Sequence, residues 1–170
     1  YFSQDPLIQV LLDKDGICPP SSPPSDEPFW IQKPSAAFVE DCANEFFMTS
    51  TYVAKGLLRH ELLYANHLFE QILHVELHRM LGYLAGVRNG FAVNTGKYNK
   101  WLPQFLTASE RTRLFETYHL ATLQQGWNAL SAAMQLFEAA KKKVCAALSY
   151  ENHNEEKTVK AYIETLKALR

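Results

Sequence analysis

No run of apolar residues approaches the roughly 18 that a membrane-crossing helix requires, so no bilayer span is expected. The opening Tyr1-Phe2-Ser3-Gln4-Asp5-Pro6 has neither the basic nor the apolar region of a signal peptide. Cysteine is sparse: Cys18, Cys42 and Cys145 stand far apart and form no C-x-x-C pair. An odd, scattered set fits a reducing compartment better than a disulfide framework. An excess of one charge is also lacking, since 17 Lys plus Arg meet 18 Asp plus Glu. A nucleic-acid binder would carry a strong basic excess. No Met opens the chain, which reads as processed or as a piece of something longer. These absences predict a cytoplasmic domain with neither a membrane nor a nucleic acid among its partners.

What is present supports one domain of ordinary size with a real core: 170 residues, 47% hydrophobic and 12% aromatic. The near-zero net charge hides an asymmetry. Residues 1–45 hold eight acids and two bases, a balance of −6, and residues 46–170 hold ten acids and fifteen bases, a balance of +5. A field divided this way attracts a cation to one region and an anion to another.

Along the chain, Leu7-Ile8-Gln9-Val10-Leu11-Leu12 closed by Asp13-Lys14-Asp15-Gly16 reads as a strand and its exit turn. One strand has no ladder of its own, so its partners are expected outside the chain. Six of the eight prolines fall within residues 19–34, which predicts an extended connector over 17–34. From Ser35 the pattern is helical. Ser35 offers an N-cap ahead of Phe38, Cys42, Phe46 and Tyr52-Val53. A second helix is predicted over about 59–85, on a stripe of Leu62, Phe69, Leu73, Leu77, Met80 and Leu84. Residues 86–96 carry three glycines and read as a loop. Thr107-Ala-Ser-Glu110 and Thr122-Leu-Gln-Gln125 match the capping box and announce two more helices, the second reaching Leu148. A last helix is predicted over 155–169. The expected fold class is all-α: an up-and-down helical bundle over 35–170, preceded by the 1–16 strand and turn and the 17–34 connector.

Several constellations carry possible chemistry. Asp13-Lys14-Asp15 has the spacing of paired Mg²⁺ carboxylates, yet the following Gly16 favours a turn. Gly96-Lys97 fails the phosphate-loop pattern, with Phe91 where Gly is required and Tyr98 where Ser or Thr should stand. What remains is a basic aromatic patch, Lys97-Tyr98-Asn99-Lys100-Trp101, able to grip phosphates or stack a base; a solvated helix start is the plainer reading. His60, His67, His74 and His78 fall in one helical stretch with Glu70, without the H-E-x-x-H order, and no metal site is assigned. Asp41, Asn44 and Glu45 are helical neighbours at i, i+3 and i+4 and suit a polycationic ligand, or simply an exposed face. Arg113 and His119 resemble the pair of helical RNA-cleaving, HEPN-like domains, although Leu114 replaces the usual polar residue.

A wider resemblance is ordered along residues 7–150. Lys33-Pro34-Ser35, Asp41-Cys42-Ala43-Asn44-Glu45-Phe46, Ser50-Thr51-Tyr52-Val53-Ala54-Lys55-Gly56-Leu57, Glu76-Leu77-His78-Arg79-Met80-Leu81 and Gly96-Lys97 resemble the bacterial aminoglycoside 6-adenylyltransferases. Ala43, Phe47 and the Tyr98-Asn99 order depart from the family's pattern. The resemblance implies an enzyme that moves AMP from ATP to a hydroxyl of streptomycin, an antibiotic-resistance function, with Mg²⁺ held by an N-terminal nucleotidyltransferase domain. That domain's Gly-Ser motif is absent, since no glycine here precedes Ser, so the chain is expected to be the C-terminal helical domain and inactive alone. By the same resemblance Asp41, Asn44, Glu45 and Tyr52 would bind the aminoglycoside, with Glu45 the catalytic base. Lys55, Lys97 and Lys100 would meet ATP. The alternatives are the HEPN-like reading and a non-catalytic helical interaction module.

Overall fold

The computed structural model describes residues 6–18, 23–153 and 155–169. Six α-helices make up its body: α1 (Ala36–Leu58), α2 (Leu62–Leu68), α3 (His74–Arg88), α4 (Ala108–Glu116), α5 (Leu123–Leu148) and α6 (Glu155–Ala168). A π-helical turn, Phe69–Leu73, welds α2 to α3, and 3-10 turns occupy Lys97–Asn99 and Leu102–Phe105. The expected all-α bundle is what forms.

Local chemistry explains the boundaries. Ser35 accepts the Phe38 amide and starts α1, as its position after Pro34 predicts. Thr107 and Glu110 complete a reciprocal capping box on α4, and Thr122 accepts the Gln125 amide on α5. The loop expected from residue 86 begins later, because α3 keeps its ladder to Arg88. His60, expected within the helical stretch, lies instead in the α1–α2 connection with φ 63°.

The core closes around α1, which packs against α2, α3, α5 and α6. Phe46 of α1 stacks on Phe137 of α5 with ring centroids 3.9 Å apart, and Phe47 meets both rings edge-on. Burying each such ring is worth about 1.5–3 kcal/mol. The predicted α1 stripe holds at Cys42, Phe46 and Val53 but not at Phe38 or Tyr52, which face outward.

The strand expected over 7–12 does not form. Pro6 and Leu7 sit in a turn, residues 8–10 are coil, and Leu11 and Leu12 are exposed. A strand exists only through its ladder, and no ladder forms over residues 8–12. The Asp-Gly turn does form. Asp13 accepts the amides of Ile17 at 3.2 Å and Cys18 at 2.9 Å, and Gly16 takes φ +62°. Those amides hold the Asp13 carboxyl below its usual range. Pro19 and Pro20 of the predicted connector lie outside the described residues. Its C-terminal end is anchored: the Ile31 amide donates to the Val93 carbonyl, and Ile31 sits against Gly82 and Gly86 of α3. Among the described residues no helix is long and apolar enough to cross a membrane.

Candidate functional site

α1 presents its outer side as one stripe. Asp41, Glu45, Met48 and Tyr52 follow at steps of four, three and four, with Asn44 and Lys55 beside them. Asp41, Asn44, Glu45, Met48 and Tyr52 are all exposed, so none is consumed by the core. At 1.5 Å per residue the stripe runs about 16 Å from Asp41 to Tyr52. Its carboxylates lie at one end and its cation at the other. Lys55 Nζ lies 5.2 Å from the Tyr52 ring centroid and 5.7 Å from that of Tyr162 on α6.

A third carboxylate joins the acidic end from α3, and sequence reasoning assigned it no role. Cys42 Sγ donates to the Glu76 carbonyl at 3.4 Å, tying α1 to α3 at this level. The Glu76 side chain is 7% exposed, with Arg79 Nη1 2.9 Å from its Oε2. That contact is not aligned as a hydrogen bond, and Oε2 has no hydrogen-bond donor among the described residues. Burial raises the Glu76 carboxyl above its usual range, and the Glu45 charge pushes the same way against Arg79. A signal was available: Glu76 sits on the buried side of α3 next to Leu77 and Met80, where a lone acid has no packing role.

Lys97 and Lys100 stand elsewhere, on the turn after α3. No contact among the described residues joins them to Lys55, so the three lysines do not form one cluster. The expected solvated helix start is a 3-10 turn of unusual backbone. Gly96, Tyr98 and Asn99 take φ of 73°, 58° and 59°. Consecutive left-handed residues other than Gly are costly and persist only when their surroundings impose them. Here Gly96 donates to Asn94 Oδ1, buried Thr95 donates to Asn99 Oδ1, and the Trp101 amide returns to the Thr95 carbonyl. A Cβ on Gly96 would stand 2.8 Å from the Trp101 ring, so the ring closes on the glycine as a lid on the turn. Lys97 and Lys100 are left exposed, over the rings of Tyr98 and Trp101.

His74 and His78 make hydrogen bonds within the fold. His74 Nε2 lies 2.9 Å from Thr117 Oγ1, and His78 Nε2 lies 2.9 Å from the Tyr118 hydroxyl. The His74 ring stacks on Tyr118 at 4.2 Å. Burial, with His78 alongside, lowers the His74 imidazole to about 4, so it is neutral at pH 7. No group of three His, Cys, Asp or Glu among the described residues could hold a metal ion. Asp13 is spent on its turn. The Arg113–His119 pair does not share a helix either, because α4 ends at Glu116 and Arg113 Nη1 is bonded to Gln135 at 2.6 Å.

Comparison with known proteins bears on the family and the fold. The sequence model of the streptomycin adenylyltransferase family matches residues 1–166. The aminoglycoside 6-adenylyltransferases of Campylobacter jejuni and Bacillus subtilis (strain 168) are each 34% identical to this chain, over 163 and 165 residues. That of Staphylococcus aureus is 35% identical over 164 residues. Each alignment covers 96% of this chain and 57% to 58% of the relative, so the chain spans little more than half their length. The crystal structure of an aminoglycoside 6-adenyltransferase from Bacillus subtilis superposes with a TM-score of 0.75 at 32% identity, covering 91% of this chain and 58% of that one. Fold, ordered motifs and sequence identity converge: this chain belongs to the streptomycin adenylyltransferase family.

Proposed function

We propose that these residues form the helical, aminoglycoside-binding part of an enzyme that transfers AMP from ATP to a hydroxyl of streptomycin. The observation that carries this reading is the exposed α1 stripe of Asp41, Asn44 and Glu45, backed by buried Glu76, in a chain of this family. Streptomycin is polycationic, and its guanidinium groups present forked donors that paired carboxylates accept. Asp41 and Glu76 supply charge, Asn44 orients, and Tyr52 offers a flat wall further along the stripe.

In the transfer, the sugar hydroxyl attacks the α-phosphorus of ATP. A bond forms between that oxygen and phosphorus, the α–β bridging bond breaks, and pyrophosphate leaves with the electron pair. Glu45 accepts the hydroxyl proton as general base, being longer than Asp41 and exposed. Lys97 and Lys100 hold phosphate oxygens as compact charges. The metal-holding carboxylates belong to a nucleotidyltransferase domain that these 170 residues do not contain, and the chain alone is expected to be inactive.

The test pairs two substitutions. Asp41→Asn should weaken calorimetric streptomycin binding by roughly ten-fold, the value of about one charge-assisted contact. Glu45→Gln, in an enzyme that also carries the metal-binding domain, should lower kcat at least 100-fold. Unchanged streptomycin affinity in Asp41→Asn, with normal kcat in Glu45→Gln, would remove the stripe from the site.

A further inference from the structure

Beside Lys100 a cavity of about 410 Å³ opens between the left-handed turn and α4, walled by His78, Tyr98, Lys100, Pro103, Phe115 and Tyr118. That volume lies within the roughly 300–1,000 Å³ of small-molecule sites. Three of the walls are aromatic rings facing solvent: Tyr98 is 88% exposed, Phe115 51% and Tyr118 49%. Exposing several large rings around one hollow is unfavourable unless something covers them.

The walls are also held in place. Tyr118 has one ring face taken by His74 and its hydroxyl fixed 2.9 Å from His78 Nε2. Tyr98 is displayed by a backbone that no non-glycine residue adopts cheaply, at φ 58° and ψ 28°. The turn's hydrogen bonds and the Trp101 ring against Gly96 maintain that conformation, so the strain serves to project the Tyr98 ring and the flanking lysines. Among the described residues lining the cavity there is a lysine and no carboxylate. A cationic ligand meets a lysine here and no carboxylate to pair with. A flat, anionic one finds stacking surfaces next to positive charge.

We propose that this cavity is a nucleobase pocket, in which the base of the ATP whose phosphates meet Lys97 and Lys100 stacks against Tyr98, Phe115 and Tyr118. The proposal rests on the adenylyl-transfer reading above and adds to it the part of this chain that recognises the base. Stacking on aromatic rings tolerates any base, so the pocket contributes affinity and position rather than discrimination among bases.

The experiment uses this chain, with ATP and inorganic tripolyphosphate titrated separately in the absence of metal. Tyr98→Ala removes the most exposed wall, Tyr98→Phe keeps the ring, and thermal unfolding checks the fold of both. Loss of one stacked base predicts roughly ten-fold weaker ATP binding in Tyr98→Ala, near-normal binding in Tyr98→Phe and unchanged tripolyphosphate binding in both. ATP binding that survives Tyr98→Ala, while Lys97→Ala still weakens tripolyphosphate, overturns the base pocket and leaves the phosphate contacts standing. Failure of both anions to bind overturns the pocket together with the phosphate role of the lysines. Displacement of ATP by streptomycin at equal stoichiometry would identify the cavity as the aminoglycoside site and also defeat the proposal.

Discussion

Glu110 is the joint at which α3, α4 and α5 meet, and removing it makes a sharp prediction. Its Oε1 accepts Arg88 Nη2 at 2.7 Å and Lys143 Nζ at 2.9 Å; its Oε2 accepts Arg88 Nη1 at 2.7 Å and the Thr107 amide at 3.0 Å. One carboxylate thus ties the end of α3, the start of α4 and the C-terminal part of α5. The Glu110 side chain is 11% exposed, Arg88 28% and Lys143 53%. The half-exposed Lys143 contributes about 0–1 kcal/mol. Two charged hydrogen bonds to Arg88 are each worth about 1.5–3 kcal/mol, and the capping bond about 1 kcal/mol. Side-chain freedom recovered by Arg88 offsets part of that, so Glu110→Ala should cost about 3–5 kcal/mol, the usual range for removing one member of a buried pair. Urea unfolding at pH 7 measures it, and a double-mutant cycle with Arg88→Ala should return about 2–3 kcal/mol of coupling. The effect has a pH signature. Arg88 foremost holds the Glu110 carboxyl well below its ordinary 4.5. The unfolded chain then binds the proton first, so the stabilisation is complete above pH 4.5 and fades as pH falls further. The wild type minus Glu110→Ala difference should shrink over that window. A cost under about 1 kcal/mol, or a difference independent of pH, would refute the reasoning. Because Arg88 Nη1 also holds the Phe105 carbonyl at 3.3 Å, the variant should loosen residues 89–106 and weaken ATP binding as well.

Three further outcomes are expected. Lys97→Ala should raise the KM for ATP several-fold with streptomycin affinity unchanged; unaltered ATP kinetics in the metal-competent enzyme would return Lys97 to plain solvation. Glu76→Gln should weaken streptomycin binding while leaving stability at pH 7 equal or higher, since burial disfavours the ionised carboxyl; a loss of stability above about 1 kcal/mol would make Glu76 a structural ion-pair partner of Arg79. His74 should make the fold acid-sensitive between its ordinary 6.5 and its lowered value near 4. There the unfolded chain takes up a proton that the folded chain refuses, so stability falls with pH by roughly 3 kcal/mol across the window. Urea midpoints at pH 7 and pH 5 measure the slope, which His74→Gln should flatten; an unflattened slope assigns it to other groups.

The helices and their starts were legible from local chemistry alone. A cap is a contact between residues three apart, so Ser35, Thr107 and Thr122 announce α1, α4 and α5 without reference to the rest of the chain. The stripe of Asp41, Asn44 and Glu45 was equally readable, because one helical turn sets those distances. The ordered motifs were sufficient to point to the family. Tertiary structure decided what depends on distant partners. Whether Leu7–Leu12 becomes a strand rests on a ladder, not on its own β propensity, and no ladder forms over residues 8–12. Glu76 joined the acidic end only because Cys42 docks on its carbonyl across 34 residues of sequence. The histidines read as one row, but burial against Tyr118 and Thr117 converted His74 and His78 into packing and hydrogen-bonding groups. Lys55 and Lys97 are both basic, yet the fold sends one to the α1–α6 side and the other to a strained turn after α3. Local pattern determines which residues share a face. Only packing of one element on another decides which faces meet, which charges are buried, and so where a ligand finds its site.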